Sequence, residues 1–136
     1  MLGINVFPDF PGKEQNMPTL ISKPTVVEAE GTLPMMIEEY VGRVTSETSS
    51  VSIARVLSPA GRVETVKTPE YDEYSVVLMG TLRVETRDSV IEARTGQAVI
   101  VHKGKWVRYS TPELTEYIAI CLPAFTPRMM HRAIDP

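Results

Sequence analysis

Gly61-Arg62-Val63-Glu64-Thr65-Val66-Lys67-Thr68-Pro69-Glu70-Tyr71-Asp72-Glu73-Tyr74-Ser75-Val76-Val77-Leu78-Met79-Gly80 is the stretch on which the fold turns. Its second half is an apolar run that stops at Gly80, where a hairpin or sharp bend calls for a residue without a Cβ. Beyond it Leu82 and Val84 alternate with Thr81, Arg83 and Glu85, the period of two that marks a half-buried strand. The polar connection Arg87-Asp88-Ser89 leads into Val90-Ile91, and Thr95-Gly96 leads into Ala98 to Val101. Lys103-Gly104 precedes a second alternating stretch, Trp106 to Ser110. Upstream, Val51 to Leu57 is rich in β-branched residues and lies between a serine-rich segment and Ser58-Pro59-Ala60-Gly61; downstream, Tyr117 to Leu122 is a last apolar strand. About seven or eight short strands, with turn signals every eight to twelve residues or so, predict an all-β sandwich or barrel. Closing the sheet into a barrel also leaves few exposed edges.

The flanks read differently. Residues 1–34 carry five of the eleven prolines, Pro8, Pro11, Pro18, Pro24 and Pro34. Proline removes a backbone donor and extends its neighbour, so the expectation is an extended arm with few ladders. Leu2, Ile4, Val6, Phe7, Phe10, Leu20, Ile21, Val26 and Val27 need burial, so the arm is expected to pack on its own barrel or on a partner subunit. The barrel is placed at 35–125 and a tail at 126–136. In that tail Pro127 to Ile134 is a candidate short helix, with Thr126 as its cap and Pro127 in its first position.

The 136 residues suit one domain with one core. A net charge of −3 with scattered Arg and Lys points to neither nucleic acid nor an anionic membrane as partner. Cys121 is the one cysteine, so no internal disulfide forms. With no basic-then-apolar start, the chain is expected to be cytoplasmic. No apolar run approaches the length of a membrane span.

Two segments resemble the paired motifs of the cupin superfamily. The first motif, in family form, is glycine, five residues, histidine, one, histidine, three or four, glutamate, six, glycine; here Gly61, Lys67, Pro69, Glu73 and Gly80 fall in those places. The second is glycine, five residues, proline, one, glycine, two, histidine, three, asparagine; here Gly96, His102, Gly104, Val107 and Thr111 do. The glycines and Glu73 match in kind, and the histidine slots do not. The motifs cover about 61–111, separated by the fifteen residues 81–95, and the strand rhythm extends over about 35–122. Gly42-Arg43-Val44, Thr68 to Tyr74, Trp106 to Pro112 and Cys121 to Phe125 look like one group of small uncharacterised microbial cupins. The resemblance implies a jelly-roll barrel (a double-stranded β-helix), with an extended N-terminal arm and a short C-terminal helical turn. It says little of function, because the fold hosts many chemistries.

In the members that bind metal, three histidines and a glutamate converge from these slots, giving a divalent ion the clustered donors it needs. Of that set this chain keeps Glu73 alone; Lys67 is a poor ligand while protonated, and Pro69 and Val107 offer no donor. The expectation is no metal and no cofactor. A rebuilt site of Glu73 with His102, His131 or Tyr71 is the alternative; otherwise His102 is a turn residue and His131 an exposed helix position.

The motif register turns Lys67, Glu73, Val107 and Tyr109 inward, with Ser75 and Val77 on the face of Glu73. Lys67 and Glu73 then form a coupled pair able to move a proton, with Tyr109 or Tyr71 as a second group. Such a set suits metal-free isomerisation, epimerisation or β-elimination beside a carbonyl. Alternatively Lys67 neutralises Glu73 or runs to solvent along the rim. Candidate catalytic residues are therefore Glu73, Lys67 and Tyr109, and candidate ligand-binding residues are Tyr71, Ser75, Val107 and Arg55. Arg43, Arg55 and Arg108 are candidate clamps for an anion or else surface ion pairs. Trp106 is a candidate wall of the pocket, though its register faces it outward, toward core or interface packing. Met35, Met36, Met129 and Met130 read as interface fillers, and Cys121 as core. Together with the apolar arm, the methionines suggest a homodimer. The leading expectation is a metal-free cupin binding a small polar organic molecule at the barrel mouth. The alternative is a metal-independent isomerase, epimerase or lyase, and last a metal-dependent oxygenase with non-standard ligands.

Overall fold

The computed structural model describes residues 17–29, 31 and 33–133. Within them the chain runs through β1 (Thr25–Ala29), β2 (Met35–Val41), β3 (Ser52–Ser58), β4 (Arg62–Val63), β5 (Asp72–Met79), β6 (Thr81–Glu85), β7 (Val90–Arg94), β8 (Ala98–Val101), β9 (Arg108–Thr111) and β10 (Thr115–Leu122). One sheet has the order β1-β2-β3-β10-β5-β8 and the other β4-β9-β6-β7. Every pairing is antiparallel. The all-β expectation is met, and no described helix is long and apolar enough to cross a membrane.

Alternation decides which face is buried. On β5 Glu73, Ser75 and Val77 are buried while Val76 and Leu78 are exposed. On β6 Leu82 and Val84 are buried and Arg83 is exposed. Val56, Val77, Leu82, Val84, Val99, Val101, Val107, Tyr109 and Tyr117 form the main core between the sheets, with Met35 and Ala93. Each such aliphatic side chain, fully buried, contributes about 1.5–3 kcal/mol.

The four motif glycines Gly61, Gly80, Gly96 and Gly104 all adopt left-handed backbone, φ between +82° and +88°. Gly80 is constrained twice over. A Cβ there would lie 2.4 Å from the Leu114 carbonyl oxygen and 2.5 Å from Thr115 Oγ1. Thr115 Oγ1 in turn accepts from the Thr81 amide at 3.1 Å.

Some expected boundaries move. Trp106 and Val107 precede β9 rather than begin it; Val107 makes an isolated antiparallel bridge to Lys67. The stretch expected to carry few ladders contains β1, which pairs with β2 from Thr25↔Glu39 to Ala29↔Met35. No proline falls between Pro24 and Pro34, so those amides are free to donate. The arm residues Leu2, Ile4, Val6, Phe7 and Phe10 lie outside the described residues. The expected C-terminal helix is one 3-10 turn, Pro127–Met130, followed by His131 at φ 48°. Pro127 stands near its start as expected, but Thr126 makes no capping hydrogen bond. Ile134 lies outside the described residues. The segment stops coiling because it pairs sideways: Thr68 N–H donates to Met130 O (3.0 Å), Glu70 N–H to Met129 O (2.9 Å) and Ala133 N–H to Val66 O (2.9 Å). It thus forms a strap along the chain that carries Lys67.

Met35 and Met130 are buried within the chain's own core and not at an interface, whereas Met36 is exposed.

Candidate functional site

Glu73 points inward from β5, next to the edge of the larger sheet, opposite Cys121 on β10 and Val101 on β8. Lys67 enters from the bridge to Val107 and sets its Nζ 3.2 Å from Glu73 Oε1. Both residues are buried, at 6% and 5% exposure, so water screens the pair little. Lys67 Nζ also lies 4.4 Å from the centroid of the Tyr109 ring and 5.9 Å from that of Tyr71. Tyr71 packs edge-on against Phe125 at 5.9 Å. Ser75 is fully buried two residues along the face of Glu73. The hydroxyls of Ser75 and Tyr109 are buried with no protein hydrogen-bond partner.

Burial alone would pull the Lys67 ammonium down. The negative charge of Glu73, paired with it at 3.2 Å, overrides that and holds Lys67 above the ordinary lysine range. Burial pushes the Tyr71 phenol up, partly offset by Lys67, and raises Tyr109 well above the usual tyrosine value, with Glu73 adding to it. Burial and then Glu73 push the Cys121 thiol up to about 12, which leaves it an inert thiol at neutral pH. The cluster is therefore an ion pair ringed by protonated phenols.

Two members were not found from the sequence. Glu64 is half-buried, donates its N–H to the Tyr109 carbonyl at 2.9 Å, and has its carboxyl raised by burial while Lys67 pulls it back. Tyr117 is buried, and its phenol is raised first by burial and next by Glu64. Residues 64–66 lie between β4 and the Lys67 bridge, so no continuous period of two links Glu64 to Lys67. Tyr117 sits in a run apolar on both faces, which hides its direction.

The metal donors of the cupin pattern do not fit. The ammonium of Lys67 occupies the side of Glu73 that a cation would take, and Pro69 and Val107 present no donor atom. His102 is exposed, its Nδ1 3.9 Å from Asp72; His131 is on the surface against Glu70. Neither joins Glu73, and no group of three or more His, Cys, Asp or Glu among the described residues could hold a metal ion.

A cleft of about 560 Å³ opens where the β6–β7 hairpin tip meets the β8–β9 loop. Its floor is Val84, Val99, Val101 and Val107, its walls include Ile91 and Trp106, and Arg87 and Lys105 stand at its rim. Val101 and Val107 are the direct partners of Glu73 and Lys67, so the floor abuts the ion pair. Of the candidate residues Val107 lines the cleft, while Lys67, Glu73, Tyr109, Tyr71 and Ser75 gather deeper. Of the two readings of Trp106 the pocket wall is the one observed, its ring 4.9 Å from the Arg87 guanidinium carbon.

Arg55 is not brought to the site. It lies on the outer face of β3, Nη1 2.8 Å from Glu38 Oε1 and its Nε on Glu116. Alternation with buried Val56 sends it there. Arg108 pairs with Glu85 at 2.6 Å, and Arg43 Nε donates to the Ala124 carbonyl at 3.2 Å. At the opposite end of the β6–β7 hairpin is a cleft of about 500 Å³, but its charges satisfy one another: Arg83 and Arg94 both hold Glu92.

The family model described as "Ethanolamine utilisation protein EutQ" matches residues 43–126. Among solved structures, a putative ethanolamine utilization protein Q from Salmonella typhimurium LT2 superposes with TM-score 0.60 at 18% identity, covering 76% of this chain and 98% of that one. The Clostridium difficile EutQ protein gives 0.62 at 18%, covering 84% and 86%. An RmlC-like cupin from Shewanella frigidimarina gives 0.63 at 13%, covering 78% and 89%. These likenesses establish the cupin barrel fold. A Myxococcus xanthus protein named "Endoribonuclease YbeY" is 41% identical over 99 residues, 70% of this chain and 33% of that protein. The chain thus spans a third of that relative's length.

Proposed function

The chain belongs to the ethanolamine utilisation protein EutQ family, and from that premise we propose that it is a metal-free cupin binding a small organic molecule in the cleft at the barrel mouth. The cleft itself carries this reading: about 560 Å³ is the size of small-ligand pockets, and it reaches a buried floor of four valines. The interior pair, its two charges cancelling, then gives the floor a back of no net charge. The family description makes small metabolites of ethanolamine utilisation the first compounds to screen. The nuclease name of the Myxococcus protein belongs to a chain about twice as long, of which only a third is matched. The protein is proposed to act in the cytoplasm, as a homodimer.

The test is a thermal-shift screen of wild type against Val107→Trp, which fills the cleft from its floor. Compounds that raise the wild-type midpoint should leave the variant unmoved while its circular dichroism stays that of the wild type. Equal shifts in both would place binding elsewhere.

A second reading has one specific observation in its favour: Lys67, Glu73, Tyr71 and Tyr109 converge, and the hydroxyls of Tyr109 and of neighbouring Ser75 have no protein partner. That set supports a metal-independent isomerase, epimerase or lyase with Glu73 as base and a phenol as acid. Glu73→Gln should then abolish turnover of any substrate found while the fold persists. A fully active variant removes Glu73 from the chemistry.

A further inference from the structure

We propose that the barrel-mouth cleft selects a small monocarboxylate with an apolar body, its carboxylate held by the Arg87 guanidinium where it lies over Trp106. The proposal rests on the cleft being the ligand site and names the ligand class.

The lining divides by chemistry. Val84, Val99, Val101 and Val107 form the floor, and Ile91 and Ile100, 47% and 54% exposed, continue it outward. A fully polar ligand would lose its hydration there with nothing in exchange. The charged and titratable side chains are all at the rim: Arg87, Lys105, Asp88 and His102. His102 is turned toward Asp72, outside the cleft. Two cations against one carboxylate leave the rim with one unit of positive charge, which fits a single anionic group better than two.

Arg87 is the group best placed to take it. Its guanidinium carbon is 4.9 Å from the Trp106 ring centroid, a cation–π contact that holds the group at the rim. Neither Arg87 nor Lys105 is in an ion pair with any described residue. The other strand and hairpin arginines Arg55, Arg83, Arg94 and Arg108 are all so engaged. A guanidinium held there by the ring and in no ion pair keeps N–H donors for a carboxylate, which an arginine fork can take bidentately. A neutral ligand of the same body would cover Arg87 without pairing it, and so lose affinity.

The only tryptophan in the chain is Trp106, so its emission reports on the cleft directly. Hexanoate and phenylacetate, with 1-hexanol and 2-phenylethanol as neutral matches and succinate as a dianion, are titrated against the full chain by Trp fluorescence and by calorimetry. The expected result is one hexanoate or phenylacetate per chain, bound at least about tenfold tighter than the matched alcohol, as a charge-assisted bond predicts. Succinate should bind more weakly than either. Arg87→Gln should erase that preference, weakening the acids to the level of the matched alcohols or below. Alcohols binding as well as acids, or a preference that survives Arg87→Gln, would overturn the ligand class while leaving the cleft as a binding site. Failure of both classes to bind at millimolar concentration would overturn the cleft reading as well.

Discussion

Lys67 and Glu73 stabilise the barrel only as a pair. Two buried charges 3.2 Å apart gain their attraction at the expense of hydration, and either one alone would be an uncompensated buried charge. Lys67→Met should therefore destabilise the fold at pH 7 by about 3–5 kcal/mol, while Lys67→Met with Glu73→Leu should recover most of that loss. Urea unfolding of wild type, single and double variants measures both; a single variant costing less than the double would sink the argument. Glu64 gives the pH dependence. Its folded carboxyl is raised by burial, so the folded chain holds that proton more tightly than the unfolded chain does. The group therefore favours folding below the ordinary glutamate value and counts against it as pH rises past that value. Glu64→Gln should raise the melting temperature at pH 7 by about 1–3 °C and lose that advantage by about pH 4. A variant less stable at pH 7 would show that Glu64 supports Lys67 more than burial penalises it. The inward set was partly legible because motif spacing and a period of two place Lys67, Glu73, Ser75 and Tyr109 on one side. The contact of Arg87 with Trp106 was not, because the two lie nineteen positions apart in sequence and meet only when the β6–β7 tip reaches the β8–β9 loop.

At the scale of elements, turns fix the barrel and a strap finishes it. Gly80→Ala would combine a left-handed backbone with a contact of 2.4 Å to a carbonyl, so it should lose at least about 2 kcal/mol, measurable as a lower unfolding midpoint. The strap makes a different prediction. Met130, Tyr71 and Cys121 form a small cluster, with Phe125 and Met129 against it. Cys121 is buried and its thiol raised to about 12, so it should resist an aromatic disulfide reagent at pH 8. Removing residues 127–136 uncovers that cluster, and labelling should then proceed in minutes with the β-sheet circular dichroism retained. Rapid labelling of the intact chain would mean that the strap does not cover the thiol. Strands β3, β6, β8 and β10 were readable because each is a β-branched or alternating run bounded by Gly, Pro or Ser. Strand β1 was masked by the prolines around it, and β4 is two residues long, too short for any period to show. The tail reads as a helix because proline after threonine is a helix-start signal. Sideways hydrogen bonding to residues 66–70 wins because it supplies partners that one helical turn could not.

The whole molecule leaves one large face uncovered. Side chains that point away from the core on the six-stranded sheet form cross-strand rows: Ile53, Ile120, Tyr74 and Ile100 in register, with Ile118 and Val76 beside them. Ile100, Leu78, Leu122 and Val76 are 54, 46, 41 and 39% exposed. A contiguous apolar sheet face of this kind is unusual on a monomer and common where subunits meet. Met35 and Met130 are buried in their own chain and lend a dimer no support, so the case for self-association passes to this face. Its charged members do not oppose it, since Arg55 already holds Glu38 and Glu116. A twofold dimer would lay the isoleucine rows of two copies against each other, each row meeting its own kind. Sedimentation velocity at tens of micromolar should show a dimer for the wild type. Val76→Lys with Leu78→Glu should yield a monomer with unchanged circular dichroism, because both side chains point outward and leave the core untouched. Both lie on the opposite face of β5 from Glu73 and Val77 and neither lines the cleft, so ligand affinity there should survive the loss of the dimer. A monomeric wild type would refute the assignment of the face. A monomeric variant that no longer binds ligand would show instead that the cleft is completed by the second copy.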